Sequence, residues 1–188
     1  MKYRIKMIGL DLDGTLLTDR KELTGRTRNA ISKAMKQGVE VLVATGRPWL
    51  GVPEELRKFP GMRYALTSNG ARIIDTVENR VIEEHLLLPE LAKKALEICG
   101  KYDTLQEVYF DGQGYAPADK MICVEKYHKN PSMCEYMRKT RIPVRDIFEL
   151  VETEKRGLDK VQALFADMGE RSRAWMELKE NSGLELVG

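Results

Sequence analysis

The sequence is poor in several things. It has two histidines and three cysteines in 188 residues. Cys99, Cys123 and Cys134 are odd in number and far apart, which excludes a disulfide framework and points to a reducing compartment. Cys123, His128 and Cys134 contain no Cys-x-x-Cys pair, so a zinc site is not expected from them. No apolar run approaches the ~18 residues that a membrane span requires. The start, Met1 to Lys6, is basic, but only Met7 to Leu10 is apolar before Asp11, too short for a signal-peptide core. Neither sign of charge dominates: 31 Lys and Arg face 29 Asp and Glu, interspersed, for a net charge of +2. That balance gives no electrostatic case for nucleic acid or an anionic membrane surface. The expectation is a soluble cytoplasmic protein, of open oligomeric state.

What is present suits one globular domain or two small ones, with 43% apolar residues to build a core. The apolar run ending at Leu10 reads as a buried strand. Thr24 is a helix cap and Gly38 a helix stop. Residues 39–44 read as a second strand, Glu54 to Phe59 as a short helix, and Tyr64 to Thr67 as a third strand. Strands alternating with helices predict a parallel sheet with helices packed on it. The rhythm then changes. Arg72 to Asp75 and Arg80 to Glu84 predict a hairpin, and Pro89 opens a helix to Gly100. A turn at Asp111 to Gly114, helices near residues 132–139, 146–152 and 170–180, and strands at Lys160 to Ala166 and Leu184 to Val187 complete the reading. A domain boundary is placed at residue 84, giving domains 1–84 and 85–188.

The chemistry concentrates at Asp11-Leu12-Asp13-Gly14-Thr15. Two carboxylates two residues apart stand where a buried strand ends, and ligands of open parallel sheets bind beyond the carboxyl ends of the strands. Acids this close are costly unless a cation shares them, and Mg²⁺ takes one or two carboxylates plus a substrate phosphate. One carboxylate can attack phosphorus, while the other protonates the leaving oxygen and later deprotonates water. A calcium loop would want glycine where Leu16 stands. A solvated turn would not need an apolar strand running into the first acid. Ala44-Thr45-Gly46-Arg47 offers a hydroxyl and backbone N–H groups at the next strand end, which can hold phosphate oxygens or simply form a turn. Arg47 can meet an anionic substrate or a nearby carboxylate. Asn69, after the third strand, can bind substrate or shape its turn.

Three stretches, DLDGTLL at 11–17, VLVATGRP at 41–48 and TSNGA at 67–71, resemble the haloacid dehalogenase superfamily, above all its cap-bearing Cof-type sugar-phosphate phosphatases. The resemblance implies an α/β fold: a partial Rossmann-like core with an inserted α/β cap. It implies a Mg²⁺-dependent hydrolase of small phosphorylated metabolites acting through an aspartyl phosphate. Asp11 would be nucleophile and metal ligand. Asp13 would be general acid/base and lend its backbone carbonyl to the metal. Thr45, with Gly46, Arg47 and Asn69, would bind the phosphorylated substrate.

Two elements of that family are not found after residue 84: a phosphate-neutralising lysine and an acidic Gly-Asp-x-x-Asn-Asp loop. Lys160 continues into a strand as a cap residue would. The chain is therefore expected to end inside the cap, to leave one sheet edge open, and to be a poor phosphatase alone. The alternative function is a catalytically incomplete protein that binds phosphometabolites or a partner. Lys120, Lys126, Lys129, Arg138, Lys139, Arg141 and Arg145 read as solvated helix faces or as a basic lip for phosphorylated substrates.

Overall fold

The computed structural model describes residues 4–180 and 183–187. Met1 to Tyr3 of the basic start and Gly188 lie outside the described residues. The chain divides into two compact units between His85 and Leu86.

The first unit runs β1 (Met7–Leu10), α1 (Gly25–Lys36), β2 (Glu40–Ala44), α2 (Glu54–Arg57), β3 (Tyr64–Thr67), β4 (Arg72–Asp75) and β5 (Arg80–Glu84). The strands lie in sequence order in one sheet. β1, β2 and β3 are parallel, and the β4–β5 hairpin adds antiparallel strands to β3. α1 starts where Thr24 accepts a hydrogen bond from the Thr27 amide, and it presents Ile31 to the core. Leu12, Leu16, Leu17, Val41, Val43, Val52, Leu56 and Phe59 fill one side of the sheet. Three of these belong to the loop after β1, so the hydrophobic core itself anchors the stretch that carries Asp11 and Asp13. β1 forms an edge of the sheet, with Met7 58% exposed and no strand on its outer side among the described residues.

The second unit runs α3 (Pro89–Gly100), β6 (Thr104–Phe110), β7 (Gln113–Pro117), α4 (Ala118–Ile122), α5 (Pro131–Thr140), β8 (Arg141–Val144), α6 (Ile147–Glu154), β9 (Lys160–Phe165) and α7 (Met168–Lys179). Its sheet order is β8-β7-β6-β9. Val108 and Phe110 join one core cluster with Ala92 and Leu96 of α3 and Val151 of α6, while Leu105 joins another with Val124 and Met137.

One row of residues crosses all four strands: Arg141, Gly114, Tyr109 and Lys160 stand in register. Arg141 donates from Nε to Glu107 Oε1 at 2.8 Å, and both side chains are almost wholly buried. It reaches Glu107 past β7 because Gly114 has no side chain. A Cβ there would lie 2.7 Å from Arg141 Cδ and 2.7 Å from Tyr109 Cε1. Lys160 lies over the Tyr109 ring at 4.5 Å, and burial pushes its amine down to about 8. Lys160 is therefore tied into the sheet of its own unit.

Two expectations are corrected. Leu184 to Val187 is not a strand, because it pairs with none among the described residues; apolar, β-prone residues form a strand only against another. The second helix ends at Arg57, short of Phe59. Two elements were not foreseen: the five-residue α4, and β8, whose Pro143 reads as a breaker although proline is tolerated at a sheet edge. Five of the seven basic residues named above are paired within this unit: Lys120 and Lys126 with Asp103, Arg138 with Glu125, Lys139 with Glu135, and Arg141 with Glu107. That is the solvated-face reading for the exposed pairs.

The row across the sheet makes Gly114 a sensitive position. Gly114→Ala is expected to destabilise the chain by about 1–3 kcal/mol through overpacking against an anchored arginine. Urea unfolding followed by circular dichroism measures this.

Candidate active site

Asp11 follows the last residue of β1 and is exposed. The chain then turns back sharply: the Leu16 amide donates to Asp11 O at 3.2 Å and the Leu17 amide to Leu12 O at 2.9 Å. Gly14 has φ 78, a left-handed conformation in which a Cβ would be strained. Thr15 Oγ1 donates to Asp11 Oδ2 at 3.4 Å, a long contact. Asp11 thus keeps most of its carboxylate open.

Asp13 is different. Arg47 grips it with a planar fork, Nε to Oδ2 and Nη2 to Oδ1, each 2.7 Å. Lys21 adds its ammonium to Oδ1 at 2.7 Å. Burial of Asp13 favours the neutral acid, but the hydrogen bonds and charges of Arg47 and Lys21 outweigh it and bring the carboxyl down to about 2. In this arrangement Asp13 is ionised at neutral pH. Arg47 is 6% exposed and also donates to Gly51 O at 3.1 Å, so the fork is held from behind.

The loop after β2 brings Thr45 beside them. Its hydroxyl oxygen accepts from the Arg47 amide at 3.1 Å, which leaves the hydroxyl proton able to donate elsewhere. The loop after β3 closes the arrangement through the main chain. The Ser68 amide donates to Arg47 O at 2.9 Å and the Asn69 amide to Thr45 O at 3.2 Å. Both donors sit in the left-handed region, at φ 52 and 59. Asn69 comes so close to Gly46 that a Cβ at Gly46 would lie 2.6 Å from Asn69 Oδ1. Gly46 is needed for that approach.

All six sequence-predicted residues lie on loops at the same end of β1, β2 and β3. Of the two roles considered for Arg47, the described structure shows the carboxylate partner. Asn69 shapes the turn through its backbone. Two residues were not singled out from sequence. Lys21 lies in no motif, and only the fold brings it to Asp13. Ser68 is 2% exposed, with a hydroxyl that finds no hydrogen-bond partner among the described residues. Cys123 is exposed and Cys99 and Cys134 are buried. No group of three His, Cys, Asp or Glu residues able to hold a metal occurs among the described residues. Among them, too, no helix is long and apolar enough to cross a membrane.

A family model for haloacid dehalogenase-like hydrolases matches residues 8–185. The chain belongs to that family. YxeH of Bacillus subtilis (strain 168) is 39% identical over 82 residues, which cover 42% of this chain and 30% of YxeH. The 5-amino-6-(5-phospho-D-ribitylamino)uracil phosphatase YcsE of the same organism is 32% identical over 100 residues, covering 53% of this chain and 40% of YcsE. The matched region is thus less than half of either curated relative. Among solved structures, a haloacid dehalogenase-like hydrolase from B. subtilis superposes on 98% of this chain and 70% of its own, with TM-score 0.82 and 23% identity. A sugar phosphatase of HAD subclass IIB superposes on 93% of this chain and 64% of its own, with TM-score 0.72 and 17% identity. At these identities the likeness shows the fold: the α/β architecture of the haloacid dehalogenase-like hydrolases.

The Arg47 fork makes an acid-limb prediction. Asp13 has a lower carboxyl pKa folded than unfolded, so its stabilisation is full above the ordinary value of 3.8 and is lost as pH falls toward about 2. Arg47→Lys removes the two-point grip. It is expected to cost about 1–2 kcal/mol at neutral pH. It should also flatten the pH dependence of stability between 4 and 2, as measured by urea unfolding across that range.

Proposed function

We propose that this chain carries the phosphoryl-transfer loops of a phosphatase acting on small phosphorylated metabolites such as sugar phosphates. The observation that carries the reading is the unequal treatment of two neighbouring carboxylates. Asp11 stands exposed at the end of β1, while Asp13 is held by two cations. An exposed, lightly bonded carboxylate is suited to attack; one held in fixed geometry is suited to act on the leaving group. Asp11 would attack phosphorus, forming an O–P bond as the bond to the leaving oxygen breaks. Water would then release phosphate from the aspartyl phosphate. Thr45 would donate its hydroxyl proton to a phosphoryl oxygen, and Gly46 would leave the main chain bare beside it. As the ionised carboxylate seen here, Asp13 would take a proton from water; to give one to the leaving oxygen it would first have to bind a proton, which requires that Lys21 or Arg47 move off it.

The donor set fits Mg²⁺ in part. The Asp11 carboxylate and the Asp13 main-chain carbonyl would be its hard oxygen ligands, with water making up the rest, which suits an ion that keeps several waters. When bound, it would supply positive charge against the nucleophile and the phosphoryl oxygens. The family name of the chain, the sugar phosphatase among its structural neighbours and the phosphatase name of YcsE support this reading. A soluble protein taking small phosphorylated substrates is the corresponding cellular reading.

A second reading is favoured by one observation: no third acidic ligand joins Asp11 and Asp13 among the described residues. On it, the chain binds phosphometabolites without efficient turnover. The two are separated by following phosphate release from a panel of sugar phosphates with and without Mg²⁺. The 188-residue chain is expected to be slow, Mg²⁺-dependent and reduced to the buffer background by Asp11→Asn. Release that persists in Asp11→Asn would reject the assignment of the nucleophile.

A further inference from the structure

We propose that Lys21 is the oxyanion-binding cation of this site: its ammonium rests on Asp13 and passes to a phosphate group held beside Asp11 and Thr45. The inference rests on reading these loops as a phosphoryl-transfer centre.

Asp13 has more cationic donors than it needs. The Arg47 fork alone gives each carboxylate oxygen a charge-assisted hydrogen bond, and Lys21 is a second donor to Oδ1. The two cations differ in freedom. Arg47 is 6% exposed and anchored on Gly51 O, whereas the Lys21 side chain is 20% exposed. An ammonium on a flexible four-carbon stem has three donors, and Asp13 takes one of them. Lys21 is therefore the cation that can turn toward an incoming anion while the fork keeps Asp13 in place.

The backbone supports a role for the amine. Lys21 has φ 63 in a tight reversal, where its amide donates to Thr18 O and the Thr18 amide donates to Glu22 O. Glycine or asparagine would hold that conformation at lower cost than lysine. A strained position that delivers a cation to a carboxylate cluster motivates a functional hypothesis.

The charges agree. Asp11 and Asp13 against Arg47 and Lys21 form a balanced set of four. A phosphate monoester adds up to two negative charges. Moving one ammonium from Asp13 to the phosphate costs the carboxylate one of three hydrogen bonds and gives the dianion a direct cation. No covalent step is involved. This would place a neutralising lysine in the loop after β1, upstream of α1.

Calorimetric titration of the 188-residue chain with inorganic orthophosphate tests the proposal, beside thermal unfolding of each variant. Lys21→Asn is expected to weaken orthophosphate binding about tenfold or more, the worth of one hydrogen bond to a charged group. Its unfolding midpoint should be unchanged or raised, because asparagine tolerates the left-handed turn. Lys21→Arg should keep most of the affinity. Unchanged affinity in Lys21→Asn would overturn the proposal, as would no measurable orthophosphate binding by the unmodified chain. Lowered unfolding midpoints in both Lys21→Asn and Lys21→Gly would also overturn it, making the amine a structural prop. Phosphate-release assays on the same proteins separate the two claims. Binding through Lys21 without turnover of any phosphomonoester would sink the phosphatase reading alone. Turnover with unchanged affinity in Lys21→Asn would sink this proposal alone.

Discussion

Arg47 ties three loops together, and the geometry at the end of β1, β2 and β3 depends on it. Its guanidinium holds Asp13 from the loop after β1, its carbonyl receives the Ser68 amide from the loop after β3, and its own amide bonds to Thr45. These bonds are possible only because β1 and β2 run parallel, with Leu10 opposite Val43, so that both chains leave the sheet at the same level. A charge of this kind is costly to bury and is compensated only when its geometry and its remaining donors are satisfied. Here the fork meets a carboxylate and a third donor meets Gly51 O.

The second unit uses the same physics for a different end. Arg141 and Glu107 are a buried pair reached across the bare backbone of Gly114, and they join β8 to β6 over the strand between them. A buried pair of this kind adds less to stability than to the choice of one register over another. In the first unit the carboxylate is a third exposed and can still be approached. In the second, Glu107 is sealed. That contrast separates a site from a scaffold more clearly than the residue types do.

Much of this was legible in the sequence, for identifiable reasons. β3, the β4–β5 hairpin and α3 were read at their observed bounds, because turn residues and Pro89 mark them sharply. The six candidate residues could be placed at one end of the sheet because parallel strands bring their following loops together. Lys21 could not be seen, since its meeting with Asp13 depends on a reversal at residues 18–22 that no apolar period encodes. β8 was hidden by its proline and by pairing with a strand far from it in sequence. The partner of Arg47 was open because a guanidinium suits substrate phosphate and carboxylate equally; the distance to Asp13 shows the carboxylate as one partner.

The loop after β3 has a further consequence. The amides of Ser68 and Asn69 tie the loop after β3 to the loop after β2, and both residues occupy a backbone region that most side chains resist. The information at these two positions is thus written in torsion angles more than in functional groups. A residue-by-residue truncation survey, which reads what a side chain supplies, would misattribute it. Alanine at Asn69 would perturb the loop by resisting its conformation, and that loss could not be told from the loss of a side-chain contact. Replacement by glycine, which removes the side chain yet keeps the torsion, is the comparison that tells the two apart.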